Sequence, residues 1–465
     1  MTATSVTATS ATGASMTEFA ATESAATGAP VAGLSPGTAP PVVTGIGVVA
    51  PNGLGVQEWW DATLRGESGI RLVPGYDAAR YPSPLAGVVT GFDAAAMLPG
   101  RLLPQTDRVT RLALVAAQWA IEDSGVDPAA LPEYTTGVAT SNATGGFEFT
   151  HREVRKLWTE GPGRVSVYES FAWFYAVNTG QISIRHGLRG PGSVIVADQA
   201  GGLDTFGQAR RMLGKGAALV VSGGVESALD PWGLLSHHSG GRLSGVRDPA
   251  RAYLPFDEAA AGHVPGEGGA LLVVESASGA AERGARQVYG QLAGHASTFD
   301  PPPGSGRPPG LARAARLALA QAGVAPADVD VVFADAAARP ALDDAEAAAL
   351  AELFGPYGVP VTAPKTLTGR LTAGGPPLDV VAALLTLRHG LIPPTAHVER
   401  PVPRHRLDLV RGEPRPARVR TALVLARGQG GFNSALVVTA PPVTPGTSAA
   451  TDADHGPRTE EEGTA

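Results

Sequence analysis

Cysteine is absent from this 465-residue sequence. Its absence excludes disulfide bonds, thiolate metal sites, iron–sulfur clusters and a cysteine nucleophile on this chain. An excess of positive charge is absent too, because 36 Lys and Arg stand against 43 Asp and Glu, for a net charge of −7. Nucleic-acid-binding proteins carry a basic patch or stripe, so this balance predicts no nucleic-acid partner.

Long apolar runs and an early positive charge are also missing. No 18 consecutive residues are apolar, so we expect no helix that spans a membrane and no membrane partner. The first basic residue is Arg65, so the N-terminus lacks the positively charged region of a secretory signal. We therefore expect a cytoplasmic protein.

Large apolar residues are scarce at both ends of the chain. Residues 1–40 are rich in Ala, Thr, Ser and Gly, and residues 441–465 are rich in Pro, Thr and Ser before an acidic end. Such segments bury too little apolar surface to offset the entropy lost on ordering. Both are predicted to be disordered tails.

Between residues 41 and 440, short β-branched runs alternate with Ala-rich stretches, which predicts βαβ units on a largely parallel sheet. The predicted strands are Val42–Ile46, Ser193–Ala197, Ala218–Ser222, Ala270–Glu275, Val329–Ala334 and Thr421–Leu425. The predicted helices are Arg108–Ser124, Gly201–Leu213, Gly310–Ala322 and Ala345–Leu353. The strands do not alternate between apolar and polar residues, so we expect both faces of each sheet to be covered.

The middle region also contains two pairs of similar segments, which we call the internal echo. Val194–Ala200 resembles Val331–Ala337, and Ala218–Gly224 resembles Thr421–Arg427, since each is a buried-type strand followed by a turn. Hydrophobic strands recur in every α/β protein, so the echo alone has two interpretations. It is either ordinary repetition or a duplicated fold with halves at 41–285 and 286–440.

Signals for phosphate or metal sites are weak. Gly428-Gln-Gly430-Gly431 follows a strand but lacks the rest of a phosphate-loop pattern, so we favour a tight turn in which backbone approaches backbone. His237 and His238 are sequence neighbours, whose side chains do not share a face of a helix or strand, and we predict no metal site. A G-x-S-x-G elbow is absent, so a serine hydrolase is not supported.

Four dispersed motifs resemble the β-ketoacyl synthase family, and they occur in the family's order across most of residues 41–440. The motifs are Val43-Thr-Gly-Ile-Gly-Val-Val-Ala-Pro51, Pro255-Phe-Asp257 with Gly266-Glu-Gly268, Pro364-Lys-Thr-Leu-Thr-Gly369, and Gly431-Phe-Asn433. The resemblance implies the α/β thiolase fold, a duplicated five-layer α-β-α-β-α architecture. That implication favours the duplicated-fold interpretation of the echo.

The catalytic positions implied by the resemblance are all changed. Gln199 stands where active members have the cysteine nucleophile, and Asp335 and Arg370 stand at the two histidine positions, while Lys365 is kept. An amide nitrogen is delocalised and cannot form an acyl-enzyme, and a protonated guanidinium is no general base. One interpretation is a structural polar cluster in which Asp335 pairs with Arg370 and the Gln199 amide bonds nearby backbone.

This combination resembles the chain length factors, or ketosynthase β subunits, of aromatic type II polyketide synthases. Three segments carry the likeness: Asn142–Arg152, Phe171–Gln181 and Val196–Asp204. The resemblance implies a heterodimer with a catalytic ketosynthase and a tunnel at their interface for the growing poly-β-ketone. It also implies no cofactor of the chain's own, because the substrate arrives on the phosphopantetheine of an acyl carrier protein.

The predicted helix from Phe147 to Trp158 has Phe147, Thr150, Val154 and Leu157 on one face. Periodicity alone favours an ordinary core stripe. The resemblance instead implies that Phe147, Thr150 and Val154 line the tunnel and set its depth. Val154 is smaller than the aromatic residue often found there, so the tunnel is expected to be long.

The partner surface is predicted from aromatic residues, and one catalytic alternative remains open. Phe171, Trp173, Phe174 and Tyr175 would suit a large subunit interface, or else an internal core. The net charge of −7 would repel an acidic carrier, so we expect the carrier to dock mainly on the ketosynthase or across the seam. The alternative function is decarboxylation of a malonyl carrier through Gln199. Loading-module ketosynthase domains with glutamine in place of cysteine resemble this chain, but they keep both histidines.

Overall fold

A computed structural model describes residues 39–302 and 304–441. The predicted tails, 1–40 and 441–465, lie outside the described residues except for residues 39, 40 and 441.

The described residues form the following strands and helices. The strands are β1 (Val42–Ala50), β2 (Gly53–Leu54), β3 (Ile70–Leu72), β4 (Leu85–Gly87), β5 (Thr136–Ser141), β6 (Gly192–Ile195), β7 (Leu219–Glu226), β8 (Gly268–Glu275), β9 (Gly290–Phe299), β10 (Val331–Phe333), β11 (Pro360–Thr362), β12 (Leu391–Ile392), β13 (Asp408–Leu409), β14 (Arg415–Pro416), β15 (Thr421–Arg427) and β16 (Phe432–Thr439). The helices are α1 (Val56–Leu64), α2 (Ala94–Met97), α3 (Arg108–Ser124), α4 (Phe147–Glu160), α5 (Glu169–Ala172), α6 (Val177–His186), α7 (Asp198–Gly214), α8 (Pro231–Ser239), α9 (Ala277–Glu282), α10 (Leu311–Ala322), α11 (Pro340–Phe354) and α12 (Gly375–His389).

The sheet is built from two similar halves. One half has the strand order β6-β5-β7-β8-β1, and the other has the order β11-β10-β15-β16-β9. In both halves the first three strands are parallel and the last two pairings are antiparallel. The halves meet where β1 pairs with β9, through Val42 with Gln291 and Val43 with Gly290. This repetition of one topology is a duplicated fold.

Helices cover both faces of the two half-sheets. α7 packs against β5 and β7 of one half and against β9 and β16 of the other, and it also contacts α12. α12 contacts β8 and β15 in turn, so these two largely buried helices form a central layer. α3 packs on the outer face of β1 and β8, and α10 packs on the outer face of β9 and β16. The five-layer α-β-α-β-α architecture predicted from the family resemblance is confirmed.

Two details of the predicted sheet are wrong. The sheet is mixed rather than largely parallel, because alternation of apolar runs does not report strand direction; β15 and β16, for example, are joined by a four-residue turn that permits only antiparallel pairing. The first pair of echo segments is also mismatched, since β10 occupies the position of β5 and β6 that of β11. The second pair, β7 and β15, is equivalent.

Burial follows the apolar composition of three central strands. Every residue of β1, β7 and β8 is buried, as expected for strands covered on both faces. β6 is the terminal strand of its half-sheet, and its residues are exposed or half-buried. Among the described residues, no helix combines the length and apolar character needed to cross a membrane.

Candidate functional site

Gln199 lies in the first turn of α7, directly after a sharp turn from β6. The turn passes through Asp198, whose φ of 50° is in the left-handed region that costs energy for a residue other than glycine. The Gln199 side chain is fully buried. The fold therefore delivers residue 199 to the centre of the molecule at a strained strand-to-helix turn.

The three predicted positions do come together. Gln199 Nε2 donates to Asp335 Oδ1 over 3.1 Å, and Arg370 Nη2 donates to the same oxygen over 2.8 Å. The predicted pairing of Asp335 with Arg370 is confirmed. The prediction that the Gln199 amide bonds nearby backbone is wrong, because the Asp335 carboxylate lies within reach and is a stronger acceptor than a carbonyl.

Two further charged residues complete the cluster. Arg427, the last residue of β15, donates Nε to Asp335 Oδ2 over 3.0 Å and Nη2 to Glu346 Oε2 over 3.0 Å. Glu346 on α11 accepts the backbone N–H groups of Asp335 (2.7 Å) and Ala336 (3.0 Å). Asp335, Glu346, Arg370 and Arg427 thus pair two buried carboxylates with two guanidinium groups, and we call these four residues with Gln199 the buried cluster.

The electrostatics of the pair Asp335 and Arg370 favour fixed charges. Burial opposes ionisation of Asp335, but the positive charges of Arg370, Arg427 and Lys365 outweigh it and hold the pKa of Asp335 well below its usual range. Burial lowers the pKa of Arg370, and the Asp335 carboxylate outweighs that effect, so the net shift is upward. The ion pair therefore stays charged.

Lys365 forms a second buried ion pair beside the cluster. Its Nζ lies 2.6 Å from Asp379 Oδ2 and donates to the Ala334 carbonyl over 2.7 Å. Burial raises the pKa of Asp379 to about 6, against the opposing charge of Lys365. The ammonium holds the backbone that presents Asp335.

A cavity of about 240 Å³ lies between the buried cluster and the start of α4. Its lining includes Phe147 and Thr144 at the α4 end, with Arg242, His263 and Arg370 also contributing. We call it the Phe147–Arg370 cavity.

The predicted stripe on α4 is only partly covered. The Phe147 ring is half-buried against Trp232, with ring centres 5.2 Å apart, and Thr150 is half-buried. Val154 is 37% exposed and Leu157 is 39% exposed. The residues of α4 that face the core are Phe149 and Glu153. An ordinary core stripe is therefore wrong for Val154 and Leu157.

The predicted aromatic surface is largely open to solvent. Trp173, Phe174 and Tyr175 are exposed and lie against one another, with successive ring centres 5.2 Å and 4.4 Å apart. Phe171 is half-buried against Tyr168. The alternative of an internal core is wrong for the three exposed rings.

The weak motifs have structural explanations. Gly428 donates its N–H to the Phe432 carbonyl over 2.9 Å, and a Cβ at Gly428 would clash with the Ala197 carbonyl oxygen. The predicted tight turn is confirmed. His237 and His238 are neighbours on α8, and no group of three or more potential ligands among the described residues is arranged to hold a metal ion.

Family comparison accounts for most of the described region. Residues 39–280 match the N-terminal domain of β-ketoacyl synthases, and residues 289–399 match the C-terminal domain. The chain belongs to the β-ketoacyl synthase family.

Two Streptomyces relatives share most of the length of this family member. The actinorhodin polyketide putative beta-ketoacyl synthase 2 of Streptomyces coelicolor is 63% identical, over 85% of this chain and 98% of the relative. The tetracenomycin polyketide synthase ketoacyl synthase beta subunit of Streptomyces glaucescens is 62% identical, over 86% of this chain and 98% of the relative. The predicted resemblance to ketosynthase β subunits is confirmed.

Solved structures agree with the fold. One is the complex of a type II polyketide synthase acyl-carrier protein with its ketosynthase bound to the hexaketide. A chain of that complex matches with a TM-score of 0.78 and 26% identity, over 87% of this chain and all of that one. The ishigamide ketosynthase/chain length factor matches with a TM-score of 0.78 and 25% identity over the same shares.

Sequence reasoning missed Arg427 and Glu346. Both lie far along the chain from Gln199, so no local spacing connects them. One signal was available for Arg427, because it is the only charged residue in the otherwise apolar strand Thr421–Arg427.

Proposed function

We propose that this chain is a chain length factor: the non-catalytic subunit of a cytoplasmic heterodimeric β-ketoacyl synthase, which pairs with a catalytic ketosynthase and shapes the tunnel that sets poly-β-ketone length. The observation that carries the proposal is a contrast between two sites. The inherited catalytic position is filled by buried side chains that pair with one another, whereas the α4 face of Phe147, Thr150 and Val154 is only partly covered and begins at the cavity that Arg370 also lines.

Catalytic silence follows from the chemistry of the buried cluster. Gln199 offers an amide in place of a nucleophile, and its N–H is directed at Asp335. Asp335 already accepts hydrogen bonds from Gln199, Arg370 and Arg427, so it is no free base. The subunit would therefore contribute shape rather than bond-making steps to acyl transfer.

Chain-length control is assigned to the exposed face of α4. Phe147 lines the Phe147–Arg370 cavity, and Thr150 and Val154 follow it along the same helical face. Side chains at successive turns of one helix lie about 5.4 Å apart along its axis, so each can block the growing chain at a different depth. A poly-β-ketone that grows along this face would stop where the side chains become too large.

The subunit interface is assigned to Trp173, Phe174, Tyr175 and the neighbouring sheet edge. The rings present contiguous apolar surface, which marks association sites on soluble proteins. β6 ends its half-sheet with its outer backbone groups unpaired in the described region, and such an edge readily pairs with another chain. We also propose that residues 41–285 and 286–440 are the two ketosynthase-like halves.

Substrate delivery is assigned to a carrier protein. The subunit would need no cofactor of its own, since the growing chain is bound to the phosphopantetheine of an acyl carrier protein. With a net charge of −7, this chain would gain little from attracting an acidic carrier, so the carrier is expected to dock on the ketosynthase or across the seam.

Decarboxylation of a malonyl carrier through Gln199 is the weaker proposal. A decarboxylase needs donors directed at the thioester carbonyl to stabilise the enolate. The Gln199 N–H is directed at Asp335 instead, and the side chain is fully buried.

Co-purification tests the heterodimer. We expect the wild-type chain to co-purify with a catalytic ketosynthase from type II polyketide synthesis, and Trp173→Glu to lose it, because a buried unpaired charge destabilises an interface. Leu317→Glu is the matched control, since Leu317 is similarly exposed (46%, against 49% for Trp173) but lies on α10. Equal recovery of the ketosynthase with both variants would contradict the proposed interface.

A further inference from the structure

The first turn of α4 lacks a capping side chain of its own. Its N-cap is Gly146, which has no side chain to accept the free N–H groups of the turn. A larger residue cannot replace it, because a Cβ at Gly146 would clash with the Ala172 carbonyl oxygen. The preceding Gly145 is confined in the same way by the Trp173 carbonyl oxygen. The helix that carries Phe147 must therefore be capped from elsewhere.

Asp107 supplies that cap from another helix. It is the N-cap of α3, where Oδ1 accepts the Val109 N–H over 2.8 Å. Its second oxygen, Oδ2, accepts the Phe149 N–H of α4 over 2.7 Å. Asp107 is 2% exposed, so water does not compete for either bond. One carboxylate thus caps two helices at once.

We infer that Asp107 is a positioning residue for chain-length control: by capping α4 from the start of α3, it fixes where Phe147 and the residues behind it stand. The inference rests on the proposed function of the α4 face. Asp107 does not line the Phe147–Arg370 cavity, so it would act only through the helix that it holds.

A second buried carboxylate holds the loop that leads into α4. Glu226, the last residue of β7, accepts the Ala143 N–H and the Thr144 hydroxyl, the latter over 2.5 Å. Asn142 closes the same loop by accepting the Gly145 N–H over 2.6 Å. The loop is therefore fixed at its start by Glu226, and the helix is fixed at its first turn by Asp107.

This arrangement makes the position of Phe147 depend on Asp107. Phe149 lies two residues after Phe147, so the Asp107 bond acts within the turn that carries the ring. The Phe147 ring packs on Trp232 of α8 with centres 5.2 Å apart, and that contact is lost if the turn frays. If the first turn is displaced without fraying, Thr150 and Val154 on the same helix shift with it.

The substitution Asp107→Ser separates the two caps. Serine at an N-cap accepts an N–H of its own helix, so α3 keeps a cap, but the shorter side chain does not reach Phe149. Asp93→Ser is the matched control, because Asp93 caps only its own helix, α2, through Ala95 and Ala96. Asp107→Asn is a second variant of native size whose single acceptor oxygen can serve only one of the two helices.

The test uses the co-purified heterodimer with full-length chains. Hydrogen exchange of the α4 amides should accelerate roughly fivefold in Asp107→Ser, as expected when a cap worth about 1 kcal/mol is lost. Exchange of α3 should change little, and Asp93→Ser should leave α4 unchanged. The ratio of long to short polyketides should shift in the Asp107 variants, whereas simple loss of stability would lower total output without changing that ratio.

The possible results separate the two claims. Unchanged α4 exchange in both Asp107 variants would overturn the inference. So would faster α4 exchange with an unchanged product ratio, provided that Phe147→Ala does shift the ratio. If neither the Asp107 variants nor Phe147→Ala shifts the ratio although α4 exchange has accelerated, the proposed function of the α4 face fails, and with it the role of Asp107 in chain length. A shift of the ratio together with faster α4 exchange supports the inference.

Discussion

Gln199 and Asp335 lie 136 positions apart in the chain, and their side chains meet through a 3.1 Å hydrogen bond in which Gln199 Nε2 donates to Asp335 Oδ1. Both residues are fully buried. Because Arg370 and Arg427 also donate to the Asp335 carboxylate, the position that we propose to be a former nucleophile site is part of a buried network of paired charges.

The first prediction concerns covalent chemistry. Incubation of the heterodimer with malonyl carrier, followed by intact-mass analysis, should find no acyl adduct on this chain, because an amide side chain is not a nucleophile. The ketosynthase partner in the same sample serves as the positive control. A stoichiometric adduct on any residue of this chain would refute the non-catalytic role.

The second prediction concerns Gln199→Ala. This change removes one donor from Asp335 and leaves Arg370 and Arg427 in place, so we expect a loss of about 1–3 kcal/mol in the free energy of unfolding. Polyketide output should persist at the level set by the remaining folded heterodimer. If output collapses and supplied acetyl carrier restores it, the decarboxylase alternative is correct.

The third prediction concerns Arg427→Met. Removal of this guanidinium leaves Glu346 without its ionic partner and Asp335 with one fewer, so we expect destabilisation of about 3–5 kcal/mol. Arg404→Met is the control, because its ion pair with Asp344 is exposed and solvent screens it, so we expect little change in stability. Denaturant unfolding measures both. If Arg427→Met lowers the free energy of unfolding no more than Arg404→Met does, Arg427 is dispensable to the buried cluster.

The fourth prediction concerns pH. Burial raises the pKa of Asp107 to about 7, although its hydrogen bonds from Val109 and Phe149 favour the charged form. The folded state therefore binds a proton that the unfolded state releases near pH 4, so this group lowers the free energy of unfolding as pH rises from about 4 to 7. The contribution is at most about 4 kcal/mol, and it is constant above that range.

Asp107→Asn carries no titrating group at this position, which gives the comparison for the pH effect. Its stability relative to the wild type should improve as pH rises from about 4 to 7 and then stay level. Denaturant midpoints of the two heterodimers across this range measure the difference. Parallel pH profiles for wild type and variant would contradict the raised pKa of Asp107.

Local structure was predictable where local forces determine it. Helix α3 has the predicted bounds Arg108–Ser124, and α4 begins at Phe147 as predicted. Outside the β15–β16 hairpin, strand direction was not predictable, because pairing depends on partners far along the chain. The mixed sheet and the mismatch of β6 with β10 both follow from this limit.

The site was predictable only where a motif marks it. Gln199, Asp335 and Arg370 were found through family motifs, and their meeting follows from the duplicated fold. Arg427 and the second role of Asp107 arise from contacts over 92 and 42 positions, which no sequence spacing reports. The exposure of Val154 could not be predicted from the sequence either, because periodicity places a residue on a helical face without showing what covers that face.

The central claim, that the α4 face sets product length, is tested most directly by Val154→Phe. The added ring should fill the space beside the helix and shorten the polyketide. Arg155→Phe is the matched control, since it adds the same ring to an exposed neighbour about 100° further around the helix. The measurement is the carbon count of polyketides released by reconstituted heterodimer and carrier, read by mass spectrometry. The account predicts shorter products for Val154→Phe and unchanged products for Arg155→Phe; an intact, active Val154→Phe heterodimer with unchanged product length would contradict it.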